Sequence, residues 1–164
     1  MTMDIIWPHI IGYLFAIVIA HFPISLVVNR MWECIGWTEK DKEGIRPESW
    51  QPNILGCVER SLYAVSFQLG KPEFIGVWLV LKVAAQWKRW GEDKEYGGHI
   101  IAGRAIYNIF LIGNALSIGY AVTGAKLIEW CLGREWLPAI GVPISLLLAT
   151  LVLWYWVGRY RYID

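Results

Sequence analysis

Residues 77–87 read VWLVLKVAAQW, an apolar run that one lysine, Lys82, interrupts. Apolar runs of this kind are typical of buried or membrane-embedded helices, and an unpaired ammonium group in such a place is costly. The rest of the sequence must therefore place a negatively charged or hydrogen-bonding partner beside Lys82.

The composition indicates an integral membrane protein. Of the 164 residues, 56% are hydrophobic, 18% are charged and eleven are tryptophan, and the mean hydropathy is +0.40. Soluble domains carry about 25% charged residues, so this chain has too few charges to cover a soluble surface. The net charge of +1 points to no particular partner, and we expect membrane lipids as partners and no nucleic acid.

Five apolar segments follow one another in a single domain, residues 1–164, and predict an all-α polytopic membrane bundle. Segments 5–28, 100–122 and 137–157 are long enough to cross a bilayer as full spans. Segments 54–68 and 74–90 are shorter, and the Gly- and Pro-containing stretch LGKPEF joins them. They predict a short helical hairpin that either spans the membrane or re-enters it, and the polar residues 29–52 predict a solvent-facing loop.

The distribution of Lys and Arg predicts the orientation of the chain. Nine cations fall on the side of the loop 29–52 and three fall on the opposite side. Since positively charged loops face the cytoplasm, we predict that this loop and the C-terminus are cytoplasmic and that the N-terminus is outside. Segment 5–28 has neither a basic n-region nor a small-residue cleavage site, which predicts a retained helix rather than a signal peptide.

Three cations remain inside the apolar segments, and their predicted depths agree. At 1.5 Å per residue, Lys82 lies roughly 9 Å from the cytoplasmic end, Arg60 about 9–10 Å and Arg104 about 7–8 Å. Antiparallel pairing in the hairpin places Arg60 level with Lys82. Glu59 is the one acid within a membrane segment, and we therefore predict that it pairs with Lys82.

Helical periodicity extends this charged layer to neutral side chains. Tyr63 follows Glu59 by four residues and lies on the same helix face. Arg104, Asn108 and Asn114 fall within an arc of about 120° on their helix. The predicted binding residues are Glu59, Arg60, Tyr63, Lys82, Arg104, Asn108 and Asn114. Small residues of the same segment predict close helix packing at Gly103, Gly113, Ala115 and Gly119.

The charged layer has two interpretations. In the structural one, the Glu59–Lys82 pair fixes the hairpin while the arginines extend to lipid phosphates. In the functional one, three cations and one carboxylate leave about two positive charges, which suit a phosphate, a carboxylate or a lipid headgroup. We favour a channel or carrier for a small anionic solute, formed as a homo-oligomer because five short segments enclose little room.

The main alternative is an enzyme that modifies a lipid headgroup, with Glu59 as general base and His21 or His99 as a second proton-transfer group. A structural or partner-binding subunit without a ligand is the third possibility. The sequence contains no metal-binding motif, catalytic triad or Gly-rich phosphate loop, so we expect neither a metal nor a cofactor. The three cysteines are interpreted as packing residues.

A resemblance adds the expected location. Glu59-Arg60, WLVLKVAAQW at 78–87, Arg104 and GNALS at 113–117 follow one another in this order. This pattern, over about 65 residues from Leu55 to Tyr120, resembles small bacterial inner-membrane proteins whose function is uncharacterised. The resemblance implies a bacterial inner-membrane location and no particular activity.

Overall fold

The computed structural model describes residues 3–36, 50–90, 94–96, 99–101 and 103–159. Most of the predicted loop 29–52 lies outside this part of the chain. Four of the cations that predict the orientation also lie outside it, namely Lys40, Lys42, Arg46 and Arg161. The predicted orientation of the termini therefore stays a prediction.

The described chain is almost entirely helical. The first long helix comprises α1 (Met3–Tyr13), a π-helical segment (Leu14–Ile19) and α2 (His21–Cys34). The hairpin consists of α3 (Trp50–Gln68) and α4 (Glu73–Trp90), and the last two helices are α5 (Gly103–Gly133) and α6 (Trp136–Arg159). Between α4 and α5, the short strands β1 (Lys94–Tyr96) and β2 (His99–Ile101) pair antiparallel.

Three helices are long and apolar enough to cross a membrane. They cover Asp4–Cys34, with 31 residues, Gly103–Gly133, with 31, and Trp136–Arg159, with 24. The predicted helical class is thus confirmed, and three of the predicted segments form helices that could span a membrane. The five apolar segments are not confirmed, because α3, with 19 residues, and α4, with 18, are long enough but not apolar enough to meet the same standard. In α4 the charges of Glu73, Lys82, Lys88 and Arg89 dilute the apolar run.

The helix α5 extends eleven residues beyond the predicted end of its segment at residue 122. The sequence from Thr123 to Gly133 contains charges and glycines and therefore resembles a loop in composition. It stays helical because Leu127 and Ile128 are buried in the bundle. Lys126, which lies beyond the predicted segment 100–122, consequently lies on a helix and pairs with Glu129 at 2.6 Å.

The hairpin turn has a local cause. Gly70 adopts a positive φ of 66°, a conformation that glycine reaches without a steric penalty. The N–H of Lys71 donates to the carbonyl O of Ser66 at 2.9 Å, which is the hydrogen bond expected when such a glycine ends a helix. Pro72 follows, and α4 begins at Glu73, so the two helices run antiparallel.

The helix α5 is the centre of the bundle, and it contacts each of the other helices. It approaches the first long helix closely, since a Cβ atom at Gly124 would lie 2.6 Å from the carbonyl O of Gly12 in α1 and 2.7 Å from Cβ of Ala16 in the π-helical segment. Close packing through small residues was predicted, but at other positions. A Cβ atom at Gly113 would lie 3.4 Å from Val28, and one at Gly119 would meet nothing within 4 Å.

The π-helical segment interrupts the first long helix near its middle. The N–H of Ala20 donates to the carbonyl O of Phe15 at 3.0 Å, five residues back rather than four. Pro23 follows three residues later and has no N–H to donate. Such interruptions loosen the regular hydrogen bonding and leave carbonyl groups open to side chains of neighbouring helices.

Candidate functional site

Lys82 is held by Glu59 across the hairpin. The Lys82 Nζ atom lies 2.7 Å from the Glu59 carboxylate, and the two side chains are 17% and 5% exposed. The predicted pair is therefore confirmed. Its geometry follows from the turn at Gly70 and Lys71, because antiparallel helices bring residues at equal distances from a turn to the same level.

Two further side chains complete the surroundings of this pair. Trp78 donates its indole N–H to Glu59 Oε1 at 3.2 Å, and Lys82 donates to Asn114 Oδ1 at 2.9 Å. Asn114 is itself oriented, since its amide group donates to the carbonyl O of Phe110 at 2.6 Å. We call Glu59, Trp78, Lys82 and Asn114 the charged centre, which connects α3, α4 and α5.

Arg60 lies next to Glu59 in sequence but faces a different helix. Its guanidinium donates from Nη2 to the carbonyl O of Ile17 at 3.2 Å and to Cys57 Sγ at 3.5 Å. Residue 60 is 3% exposed, and its Nε atom has no hydrogen-bond partner among the described residues. Successive residues of a helix point about 100° apart, so Glu59 faces α4 and α5 while Arg60 reaches the π-helical segment.

The contact with Ile17 shows how deep Arg60 lies. Ile17 is twelve residues after Ile5 and eleven before Val28, which corresponds to about 17–18 Å from either end of this apolar segment. The Arg60 guanidinium thus reaches the middle of this apolar segment, further from its ends than the 9–10 Å predicted. The prediction counted from Asn53, whereas α3 already begins at Trp50 and packs against the centre of the first helix.

Tyr63 adds a second buried group that has no hydrogen-bond partner in the described part of the chain. Its residue exposure is 0%, and its hydroxyl forms no hydrogen bond within the described part of the chain. The ring packs in a cluster with Ala16, Ala64 and Ala121. Arg60 Nε and the Tyr63 hydroxyl, which we call the donor pair, are thus two buried donors of α3 that have no hydrogen-bond partner among the described residues.

The structure separates the predicted site residues into three groups. Glu59, Lys82 and Asn114 meet in the charged centre, and Arg60 and Tyr63 form the donor pair. Arg104 and Asn108 have exposed side chains near the start of α5. The predicted arc of 120° is wider than the face that α5 turns towards α4, so Asn114 is buried while the other two remain at the surface. Whether any of the seven residues binds a solute stays a prediction.

Two elements of the site were not among the seven predicted binding residues. Trp78 lies four residues before Lys82, and this spacing was the available signal that both reach the same partner. The carbonyl O of Ile17 could not be expected from the side-chain pattern. Pro23 inside an apolar helix was the signal for an irregular backbone nearby.

The charges of the buried side chains do not cancel. Glu59 and Lys82 neutralise each other, whereas Arg60 has no carboxylate within ion-pair distance in the described residues. Among the described residues, one positive charge is therefore left in the interior, fewer than the two predicted, because Arg104 is exposed. Among the described residues, no group of three His, Cys, Asp or Glu side chains could hold a metal ion.

Comparisons with known protein families, with curated proteins and with solved structures found no match for this chain. The resemblance to bacterial inner-membrane proteins stays an expectation from the sequence.

Proposed function

We propose that the protein is a channel or carrier for a small anionic solute, located in the bacterial inner membrane with its N-terminus outside. The observation that supports this function best is the donor pair. Arg60 and Tyr63 are both buried near the middle of the apolar layer, and each presents a hydrogen-bond donor without an acceptor among the described residues.

Physical chemistry favours an anion at this position. Charged groups inside a membrane face the protein interior and mark solute or ion paths in many membrane proteins. An unpaired buried charge destabilises the fold, and buried donors without acceptors add to that cost. An anion beside Arg60 would compensate for the charge and supply the missing acceptor at the same time.

The charged centre has a supporting role in this proposal. Glu59 and Lys82 satisfy each other, and the contacts with Trp78 and Asn114 keep both in place. Because Glu59 directly precedes Arg60, the pair fixes the rotation of α3 and thereby the direction of the guanidinium. Lys82 and Asn114 would contribute to the electrostatic environment of the solute without contacting it directly.

Arg104 and Asn108 belong to the entrance in this proposal. Both are exposed near the start of α5, on the side of the bundle where the sequence predicts the cytoplasm. Exposed positive charge raises the local concentration of anions and increases their rate of association. The path itself would form in a homo-oligomer, since a single short bundle encloses little room.

The alternative of a lipid-headgroup enzyme needs Glu59 as a general base. In the structure the Glu59 carboxylate accepts hydrogen bonds from both Lys82 and Trp78. A base must be free to accept a proton from its substrate, so these two donors disfavour that role. We therefore retain the transport function as the proposal.

Anion flux into proteoliposomes tests the proposal. Purified protein should conduct or carry a small anion faster than empty liposomes do. Arg60→Gln removes the buried charge, and it should raise the concentration for half-maximal flux about tenfold or more, as expected for a lost charge-assisted hydrogen bond. Arg134→Gln, at an exposed position between α5 and α6, should leave the flux unchanged.

A second variant distinguishes loss of function from loss of fold. Arg60→Lys keeps the charge but shortens the reach, and it should retain part of the flux if it elutes as the same species in gel filtration. Equal fluxes for the wild type, Arg60→Gln and empty liposomes would refute the proposal. Equal fluxes for Arg60→Gln and Arg134→Gln above that background would refute the role of Arg60.

A further inference from the structure

We infer that the first long helix contains a hinge at residues 17–20, and that Arg60 of α3 is the latch that holds this hinge in place. The hinge lets α2 move together with α6 while α1 stays on α5. This movement of helices does not require the proposed transport function.

The backbone hydrogen bonds of the first long helix are irregular near its middle. The N–H of Ala20 donates to the carbonyl O of Phe15, five residues back. Pro23 has no N–H, and in a regular α-helix that N–H would bond to the carbonyl O of Ile19. Long helices bend at π-helical turns and at prolines. The region between Phe15 and Pro23 is therefore the part of this helix that bends most easily.

The parts of the helix before and after the hinge pack against different partners. Before it, a Cβ atom at Gly124 of α5 would lie 2.6 Å from the carbonyl O of Gly12 and 2.7 Å from Cβ of Ala16. After it, α2 packs mainly against α6. The Cys34 thiol connects the ends of these two helices, since it donates to the carbonyl O of Val157 at 3.2 Å. A bend at the hinge preserves these contacts and moves α2 and α6 together relative to α5.

Arg60 reaches the hinge from α3. Its Nη2 atom donates to the carbonyl O of Ile17 at 3.2 Å, and residue 60 is 3% exposed. A hydrogen bond from a charged donor is stronger than a neutral one, and exclusion of water strengthens it further. The guanidinium thereby ties the first residue of the hinge to the hairpin.

Gly56 and Cys57 determine where the guanidinium lies. The Arg60 side chain folds back along α3, so that Nη2 also contacts Cys57 Sγ at 3.5 Å. A Cβ atom at Gly56 would lie 3.3 Å from Arg60 Nη1, and the guanidinium would have to shift by a few tenths of an ångström. The bond to Ile17 is already at the long end of the usual range, so such a shift weakens it. Gly56→Ala therefore loosens the latch without removing its charge.

Hydrogen exchange of backbone amides tests the hinge and its latch. In nanodiscs, the amides of residues 17–22 should exchange about tenfold faster or more in Arg60→Gln than in the wild type, because a lost charge-assisted hydrogen bond favours local opening by about that factor. The amides of α1 before Gly12 and of α2 after Ile24 should exchange as in the wild type, since both parts keep their partners. Gly56→Ala should give the same pattern with a smaller increase, about two- to fivefold.

Arg30→Gln and Gly119→Ala are matched controls. Arg30 lies near the other end of α2 and pairs with Glu33 at 2.9 Å. Like Arg60, it has an Nε atom without a hydrogen-bond partner among the described residues. Gly119→Ala adds its methyl group in open space. Both variants should leave the exchange of residues 17–22 unchanged.

The pattern of exchange decides the inference. An increase confined to residues 17–22 in Arg60→Gln and Gly56→Ala would support it. Equal exchange of these residues in the wild type and both variants would overturn the role of Arg60 as the latch, and so would an equal increase in Arg30→Gln. An increase spread evenly over all helices would overturn the hinge, because the whole bundle would then open together. If Arg60→Gln does not fold, Gly56→Ala alone decides between these results.

Discussion

Removing the charge of Glu59 should destabilise the protein more than removing both members of its ion pair. In Glu59→Gln the amide can still accept the indole N–H of Trp78, so the main loss is the charge opposite Lys82, 2.7 Å away. The ammonium group is then left in a largely buried position. In the double variant Glu59→Gln with Lys82→Met, no such group remains.

The burial of the ion pair sets the rough loss of stability expected for each variant. Breaking a buried ion pair costs about 3–5 kcal/mol, and the lower end applies here because Lys82 is 17% exposed and unfolded membrane helices find other partners. We therefore expect about 3 kcal/mol for Glu59→Gln. The double variant loses the hydrogen bond that Lys82 donates to Asn114, which costs about 1 kcal/mol. For a chain of this size, these values correspond to melting temperatures lower by about 6–12 °C and 2–4 °C, respectively.

A double-mutant cycle measures the coupling between Glu59 and Lys82. It requires thermal melts of the wild type, both single variants and the double variant in one detergent. The exposed pair Lys126–Glu129 provides a matched control, since its atoms are 2.6 Å apart but its side chains are 39% and 51% exposed. Exposed pairs contribute about 0–1 kcal/mol. Lys126→Met, Glu129→Gln and their combination should therefore show almost no coupling.

The reasoning fails if Glu59→Gln and the double variant melt within about 1 °C of each other. Such a result would mean that Lys82 finds another partner or water when Glu59 is neutral. A coupling between Glu59 and Lys82 as small as that between Lys126 and Glu129 would also contradict the assignment of Glu59 and Lys82 to a buried environment.

Two further predictions concern the packing and the topology. Gly124→Ala should destabilise the protein by about 1–3 kcal/mol, because its Cβ atom would meet the backbone of Gly12. Gly119→Ala places its Cβ atom in open space, so it should be neutral or stabilising by up to about 1 kcal/mol. Equal melting temperatures for the two variants would argue against the close approach of α1 and α5. Reporter fusions after Arg134 should show a location outside the cytoplasm and fusions at the C-terminus a cytoplasmic one, and a cytoplasmic signal at Arg134 would contradict the three-span arrangement.

The sequence by itself determined the features that depend on local patterns. Apolar runs of sufficient length predicted the three long helices, because the thickness of the bilayer sets the number of residues needed to cross it. The turn at Gly70 and Lys71 predicted that Glu59 meets Lys82, since the residues of a hairpin are paired by their distance from the turn. Both predictions depend on sequence neighbours.

Only the tertiary structure decided which residues of distant helices meet. The rotation of α5 about its axis selects Asn114 rather than Arg104 or Asn108 as the partner of Lys82. The packing of α3 against the first helix brings Arg60 to the carbonyl O of Ile17 and buries the Tyr63 hydroxyl without a hydrogen-bond partner among the described residues. These outcomes depend on how whole helices pack against one another, and the local spacing of residues allows several packing angles between two helices.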